Sequence, residues 1–225
     1  MVRQVIPRPP WARRTDPVMG GIGLAGPADA LTMGAVRRAF GPGAPGAGAR
    51  PAPVGAGAAV LITLMSEDER GSDSPASVVL IRRAAHLRAN PGEIAFPGGR
   101  IETGEVPLAA ALREAEEEVA LGADSLDVLG ELSSLGHPLR SAPIVPFVAA
   151  ARSRLFLEAN PDEVDCVLCV PLAALVAPGC YWQERWDRAG DPARTMHFFD
   201  LGEDVIWGAT AEMLHALFLR LSGAV

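Results

Sequence analysis

Lysine is absent from this 225-residue chain; all 20 of its Lys/Arg-type residues are arginine. Arginine can grip phosphate bidentately, but a complete lack of lysine reads as compositional bias, not as a functional choice. Positive charge is also in deficit, at a formal net charge of −7. That balance excludes a broad nucleic-acid-binding surface and makes an anionic substrate dependent on local arginines, metal ions or backbone amides. Cysteine is scarce, and three residues cannot build a disulfide scaffold. Cys166 and Cys169 have the spacing of half a zinc site, yet no second pair follows. They lie in an apolar run, 164–170, that reads as a strand; odd spacing sends them to opposite faces, and core packing is their expected role. The N-terminus carries arginines but no continuous hydrophobic region, so it does not resemble a signal peptide. No apolar stretch approaches the ~20 residues that span a bilayer. The cytosol is the expected location, with neither a membrane nor a nucleic acid as partner.

What is present divides near residue 55. Residues 1–55 are rich in Pro, Gly and Ala, with a low-complexity run at 41–57. Within them 29–40 predicts one short helix, with Leu31, Val36 and Phe40 available for docking. The rest reads as an extension that contributes little to the core. From residue 58 the texture changes to that of a folded domain, 56–225. Apolar runs at 58–65 and 76–82, joined by a polar turn, predict a hairpin. Further strands are predicted at 126–132, 144–149, 164–170, 196–201 and 204–207, with helices at 107–120 and 209–221. Intermixed strands and helices imply an α+β domain, a mixed sheet covered by helices on both faces.

The helix at 107–120 carries the chemistry. On a wheel, Leu108, Ala111, Leu112, Ala115 and Val119 form an apolar stripe, and Glu114, Glu117 and Glu118 fill a wedge of ~100° beside it. Glu116 falls outside that wedge and is expected to be solvated. Three carboxylates on one face repel one another, and a hard cation is the natural compensation. The plain alternative is a solvated acidic face. Two neighbours weigh against it: Arg113 can tether the upstream carboxylate Glu105, and the glycine-rich FPGG segment at 96–99 delivers the chain to the helix.

The spacing is specific. Gly99, five residues, Glu105, seven residues, Arg113-Glu114-Ala115, one residue, Glu117-Glu118, one residue, Ala120-Leu121 resembles the Nudix box, with alanine at 120 where the family has glycine. The resemblance implies a three-layer α/β/α sandwich over 56–225. It implies Mg²⁺ or Mn²⁺ held by Glu114, Glu117 and Glu118, a further ligand from the Gly99 carbonyl, and Arg113 with Glu105 bracing the loop.

Just upstream, Arg82, Arg83, His86 and Arg88 form a basic segment suited to additional phosphates. The plain alternative is a basic loop that neutralises the acidic helix. Arg82, one residue, Ala84, three residues, Arg88, three residues, Gly92, three residues, Phe96-Pro97-Gly98-Gly99 resembles the signature that precedes the box in the coenzyme A diphosphatases of the same family. That resemblance implies hydrolysis of coenzyme A (CoA) or acyl-CoA to 4′-phosphopantetheine, or its acyl form, and adenosine 3′,5′-bisphosphate. Arg82, His86, Arg88, Gly98 and Gly99 would bind this small-molecule substrate. Rival readings are a Nudix hydrolase of ADP-ribose, a dinucleotide or a damaged nucleoside triphosphate, and a non-catalytic sensor of the same fold. A homodimer is left open.

The candidate base that deprotonates water is Glu163, in an Asn-Pro-Asp-Glu-Val stretch, with Glu131 and Asp162 in reserve. His137, in a Gly-His-Pro loop, could approach substrate or serve only as a loop residue. His197 and His215 are expected to be structural. Trp182 and Trp186 could stack on an adenine, but core or interface packing is the expected role.

Overall fold

Parity along two apolar runs places the core on both sides of one sheet. In the computed structural model the first run is strand β2, Ala58–Met65, and the second is β7, Ile144–Ala151. Ala59 and Leu61 of β2 join Val145, Phe147 and Ala149 of β7 in one cluster; Ile62 and Leu64 join Val148 and Ala150 in the other. A strand buried on both faces reads as a continuous apolar run, which is why these two are legible. The structure describes residues 6, 9, 12–15, 31–41, 57–66, 73–136, 142–187 and 194–223.

The other strands are β1 (Ala12–Thr15), β3 (Ser77–Arg83), β4 (Ile94–Ala95), β5 (Gly98–Arg100), β6 (Leu126–Glu131), β8 (Val164–Pro171), β9 (Tyr181–Trp186), β10 (Arg194–Asp200) and β11 (Val205–Ile206). The helices are α1 (Met33–Phe40), α2 (Pro107–Val119), the short α3 (Leu172–Leu175) and α4 (Gly208–Leu221). β2 runs parallel to β7, while β6 pairs antiparallel with β7 and β8 with β3, so the main sheet is mixed as expected. β2 and β3 pair only at Leu64–Val78 and Met65–Ser77 and then part. Into the gap come β4, paired with Ile81 and Arg82, and β5, paired with Ala58–Val60. The expected hairpin is thus closed at its turn and wedged open at its mouth by the segment containing FPGG. Gly98 is required there: a Cβ would lie 2.4 Å from the Ala59 carbonyl oxygen.

Helix α2 covers one face with small residues, Ala110, Ala111, Ala115 and Val119, which let its axis approach the sheet closely. The opposite face carries Val36 and Phe40 of α1 and Leu214, Leu217 and Phe218 of α4. The result is the three-layer α/β/α arrangement.

Five features differ from expectation. The strands near 196–207 do not extend the mixed sheet; with β1 and β9 they form a second, four-stranded antiparallel sheet in the order β1-β9-β10-β11. β9 itself is not predicted, because YWQERW mixes aromatic and charged residues without a clean apolar face. Helix α1 begins at Met33 and not at residue 29: Thr32 is extended, bridges to Pro75, and caps the helix by accepting the Ala35 N–H at 3.2 Å. This region also contributes more to the core than expected. Leu31, Met33, Val36 and Phe40 are buried in the main core, and Arg37 ties α1 to Asp127 at 2.8 Å and to the Ala151 carbonyl. Finally, neither strand cysteine is a core residue. Cys166 is half-buried and Cys169 exposed, because β8 lies at the margin of the sheet, paired among the described residues only with β3. Among the described residues no helix is long and apolar enough to cross a membrane.

Candidate active site

Pro107 occupies the first turn of α2, where its missing N–H costs nothing, and Val106 before it is extended. The alanine-rich face then fixes the rotation of the helix. Glu118 lands at the edge of the buried face with 1% of its surface exposed, Glu114 is partly buried, and Glu116 is exposed as expected. Glu163 lies in the turn leading into β8, a turn that bonds through Asn160 to the C-terminal end of α2. One oxygen each from Glu114, Glu118 and Glu163 lies within 4.8 Å of the others. Glu117 stands outside this trio: it faces solvent and pairs with Arg113 at 3.1 Å. The wheel placed three box glutamates in one wedge; burial singles out two of them, and the chain supplies its third carboxylate from the loop.

Each carboxylate has a defined hold. Glu118 accepts the Gly98 N–H at 2.9 Å, and the Arg83 guanidinium lies 3.7 Å away. Burial pushes the Glu118 carboxyl up to about 7; the Gly98 N–H and Arg83 oppose this, and Glu114 and Glu163 reinforce it. Burial likewise raises the Glu114 carboxyl, against the pull of Arg113. Glu114 lies against Gly99, where a Cβ would be 2.4 Å from its carboxyl carbon. Arg113 grips Glu105 through two hydrogen bonds of 3.0 and 3.1 Å, and also donates to Glu114 (3.0 Å), Glu117 (3.1 Å) and the Arg100 carbonyl (3.1 Å). This guanidinium and the Glu102 N–H hold the Glu105 carboxyl below its ordinary range.

The basic segment separates into distinct environments. Arg82 is engaged by Asp204 through two donors and by Asp165 at 3.2 Å. Arg83 points the other way, toward Glu118, and its Nε is buried with no hydrogen-bond partner among the described residues. The sequence reading places both arginines in the basic segment but assigns substrate binding to Arg82 and not to Arg83. No signal in the sequence separates the two: Arg83 is two residues from Ile81, but only the structure shows that Ile81 packs under α2. His86 is exposed, with Nε2 3.0 Å from the Asp162 carbonyl, and Arg88 is exposed in the turn after β3.

The remaining candidates lie elsewhere. Glu131 and Asp162 are exposed, and His137 lies outside the described residues. Trp182 is buried against Phe198 at 5.0 Å between ring centroids, with Arg14 at 4.9 Å from its ring, so it packs as expected. His197 stacks on His215 at 4.0 Å and meets the Tyr181 hydroxyl at 2.7 Å, in the core-side packing between β9, β10 and α4.

The hard-oxygen donor set, its burial and the close glycines fit a divalent cation. A sequence model of the NUDIX domain matches residues 55–189. The chain belongs to the Nudix family. Proteins from Salmonella paratyphi B and Salmonella newport, both named "Uncharacterized Nudix hydrolase NudL", are each 34% identical to it over 170 residues, covering 73% of this chain and 82% of the relative. Among solved structures, a MutT/nudix family protein from Enterococcus faecalis aligns over 77% of this chain and 68% of its own, at 19% identity and a TM-score of 0.47. RenU, a Nudix hydrolase from M. smegmatis, aligns over 53% and 73%, at 25% identity and a TM-score of 0.45. As a Nudix hydrolase the protein is a diphosphatase acting on nucleoside diphosphate derivatives, in a family that generally uses divalent metal ions.

Proposed function

We propose that this Nudix hydrolase cleaves the diphosphate of CoA or acyl-CoA, yielding 4′-phosphopantetheine or its acyl form and adenosine 3′,5′-bisphosphate. The observation that carries the reading is the segment 82–99, whose spaced arginines and FPGG end on the Gly98 N–H that binds Glu118. Glu114, Glu118 and Glu163 are the residues to hold Mg²⁺ or Mn²⁺, with Glu117 and the Gly99 carbonyl as further ligands. When bound, the cation supplies positive charge to phosphoryl oxygens and makes water more acidic.

The chain's own groups do the rest. A carboxylate has two oxygens: one of Glu163 would help to hold the cation, and the other would take the proton from the attacking water. The water oxygen bonds to one phosphorus, the bridging P–O bond breaks, and the second phosphate departs with the bridging oxygen. Arg83, beside Glu118, offers its guanidinium to the phosphate under attack, and Arg88 and His86 reach flanking phosphate. Arg82 acts through Asp204, holding the turn before β11 beside the loop. The reading keeps the cytosol as location and leaves a homodimer open. Chromatography of products after incubation with Mg²⁺ or Mn²⁺ tests it, using CoA, ADP-ribose and a dinucleotide as parallel substrates. Release of adenosine 3′,5′-bisphosphate from CoA is expected; a tenfold preference for either of the others would overturn the assignment.

A further inference from the structure

Among the described residues, Asn160 bonds both to the end of helix α2 and to the turn that presents Glu163. We propose that Asn160 is the positioning residue that sets Glu163 against Glu114 and Glu118; this rests on the reading of the trio as a metal centre. Asn160 donates its backbone N–H to the Glu118 carbonyl at 2.9 Å and its side-chain Nδ2 to the Glu117 carbonyl at 3.2 Å. Both acceptors lie in the last turn of α2, where no intrahelical donor remains for them. At its other end, the Asn160 carbonyl accepts the N–H of Glu163 at 3.0 Å and of Val164 at 2.8 Å, and its Oδ1 accepts the Asp162 N–H at 3.2 Å. One residue thus bonds to the backbone of two box glutamates and to the backbone of the loop glutamate. Neighbouring contacts hold only one side each: Glu158 donates to the Val119 carbonyl at 3.1 Å, and Ala84 donates to the Glu163 carbonyl at 2.9 Å.

The chemistry explains why a clamp is needed and why it is asparagine. Three carboxylates that converge within 4.8 Å repel one another, and a loop free to move would relieve that repulsion by carrying Glu163 away. The clamp has to donate toward the helix and accept from the loop at once. An amide side chain does both, whereas a carboxylate only accepts. Pro161 follows, which biases Asn160 to the extended backbone that leaves its N–H directed at the helix end.

The test uses the full chain and measures two quantities: Mn²⁺ affinity by electron paramagnetic resonance, and the melting temperature of the metal-free protein. Asn160→Ala is expected to weaken Mn²⁺ binding at least tenfold, as does Glu163→Gln. The double variant should be no more than about twofold weaker than Glu163→Gln alone, because Asn160 acts through that carboxylate. Asn160→Ser, which keeps an acceptor for Asp162 but cannot reach the Glu117 carbonyl, should fall between and serves if the alanine variant does not fold. A lowered melting temperature with unchanged Mn²⁺ affinity, or effects that multiply in the double variant, would overturn the proposal and leave Asn160 as a helix cap. Failure of the unaltered protein to bind Mn²⁺ would instead overturn the metal-centre reading beneath it.

Discussion

The carboxyl group of Glu114 fills the space where a side chain on Gly99 would begin, leaving 2.4 Å to a Cβ there. Gly99→Ala is therefore expected to displace Glu114 and not the buried strand β2. Divalent-cation affinity should fall at least tenfold and turnover by about a hundredfold, the latter equal to ~2.7 kcal/mol of barrier. Calorimetric Mn²⁺ titration, with circular dichroism to verify the fold, checks this; unaltered affinity would show that Glu114 can yield without cost.

Arg82 and Arg83 should separate by assay. Arg82→Ala leaves Asp204, whose side chain is 13% exposed, without its guanidinium. Losing such a partner costs about 1–3 kcal/mol, visible as an earlier urea midpoint, with activity per folded molecule changed little. Arg83→Ala should lower kcat/KM ten- to a hundredfold with a small change in midpoint. Running both variants on CoA and dephospho-CoA shows whether the contact reads the 3′-phosphate or the diphosphate that both substrates share.

Removing residues 1–45 should destabilise the domain. Leu31, Met33, Val36 and Phe40 are each at most 7% exposed, and burying one such side chain contributes roughly 1.5–3 kcal/mol. Their combined loss is comparable with the whole stability of an ordinary domain. A chain beginning at residue 46 is expected to be insoluble or to melt far below the full chain; equal urea midpoints would show that α1 is dispensable.

The paired imidazoles of His197 and His215 give stability a pH dependence. Burial, and then the neighbouring His215, push His197 down to about 4; burial lowers His215 as well. The folded state thus resists protons that the unfolded chain accepts at its ordinary value near 6.5. His197 contributes full stability above about pH 6.5, and this is lost as pH falls toward about 4. Allowing for partial exposure, the loss is about 1–2 kcal/mol. Urea midpoints between pH 7.5 and 4.5 should show a steeper fall for the unaltered protein than for His197→Gln.

How much of this is legible before folding depends on how each side chain earns its environment. β2, β7 and α2 declare themselves because burial on both faces, or along one stripe, leaves a periodic trace in the residues. The carboxylates of Glu114 and Glu118 follow from that same trace. What periodicity cannot say is which face of β3 looks toward the helix, so Arg82 and Arg83 are indistinguishable until Ile81 is seen beneath α2. Nor can it bring Glu163 across some 45 residues of chain to Glu118; the Asn-Pro pair hints at a turn, but only the carbonyls at the end of α2 explain what that turn grips. β1 is four residues long and β9 lacks an apolar period, so β10 and β11 are legible as strands while their pairing into a second sheet is not.

Ala120 adds a smaller test of the same kind. It closes α2 in the left-handed conformation, at φ 55° and ψ 32°, a region that disfavours every residue with a Cβ. Ala120→Gly is expected to raise stability by about 0.5–1 kcal/mol without altering cation affinity, as measured by thermal melting beside Mn²⁺ titration.

The wedge between β2 and β3 has a kinetic consequence. Because β5 is laddered to Ala58–Val60, and β2 in turn to β7, the amide of Gly98 belongs to the sheet and not to a hinge. The donor that orients Glu118 is set before any ion arrives, and the ordering cost falls on folding, not on association. Ion uptake should then be a single step, timed by the shedding of the ion's own hydration shell, with no slower phase from loop closure. The Gly98 amide should be among the slowest in the domain to exchange with deuterium, whether or not an ion is bound.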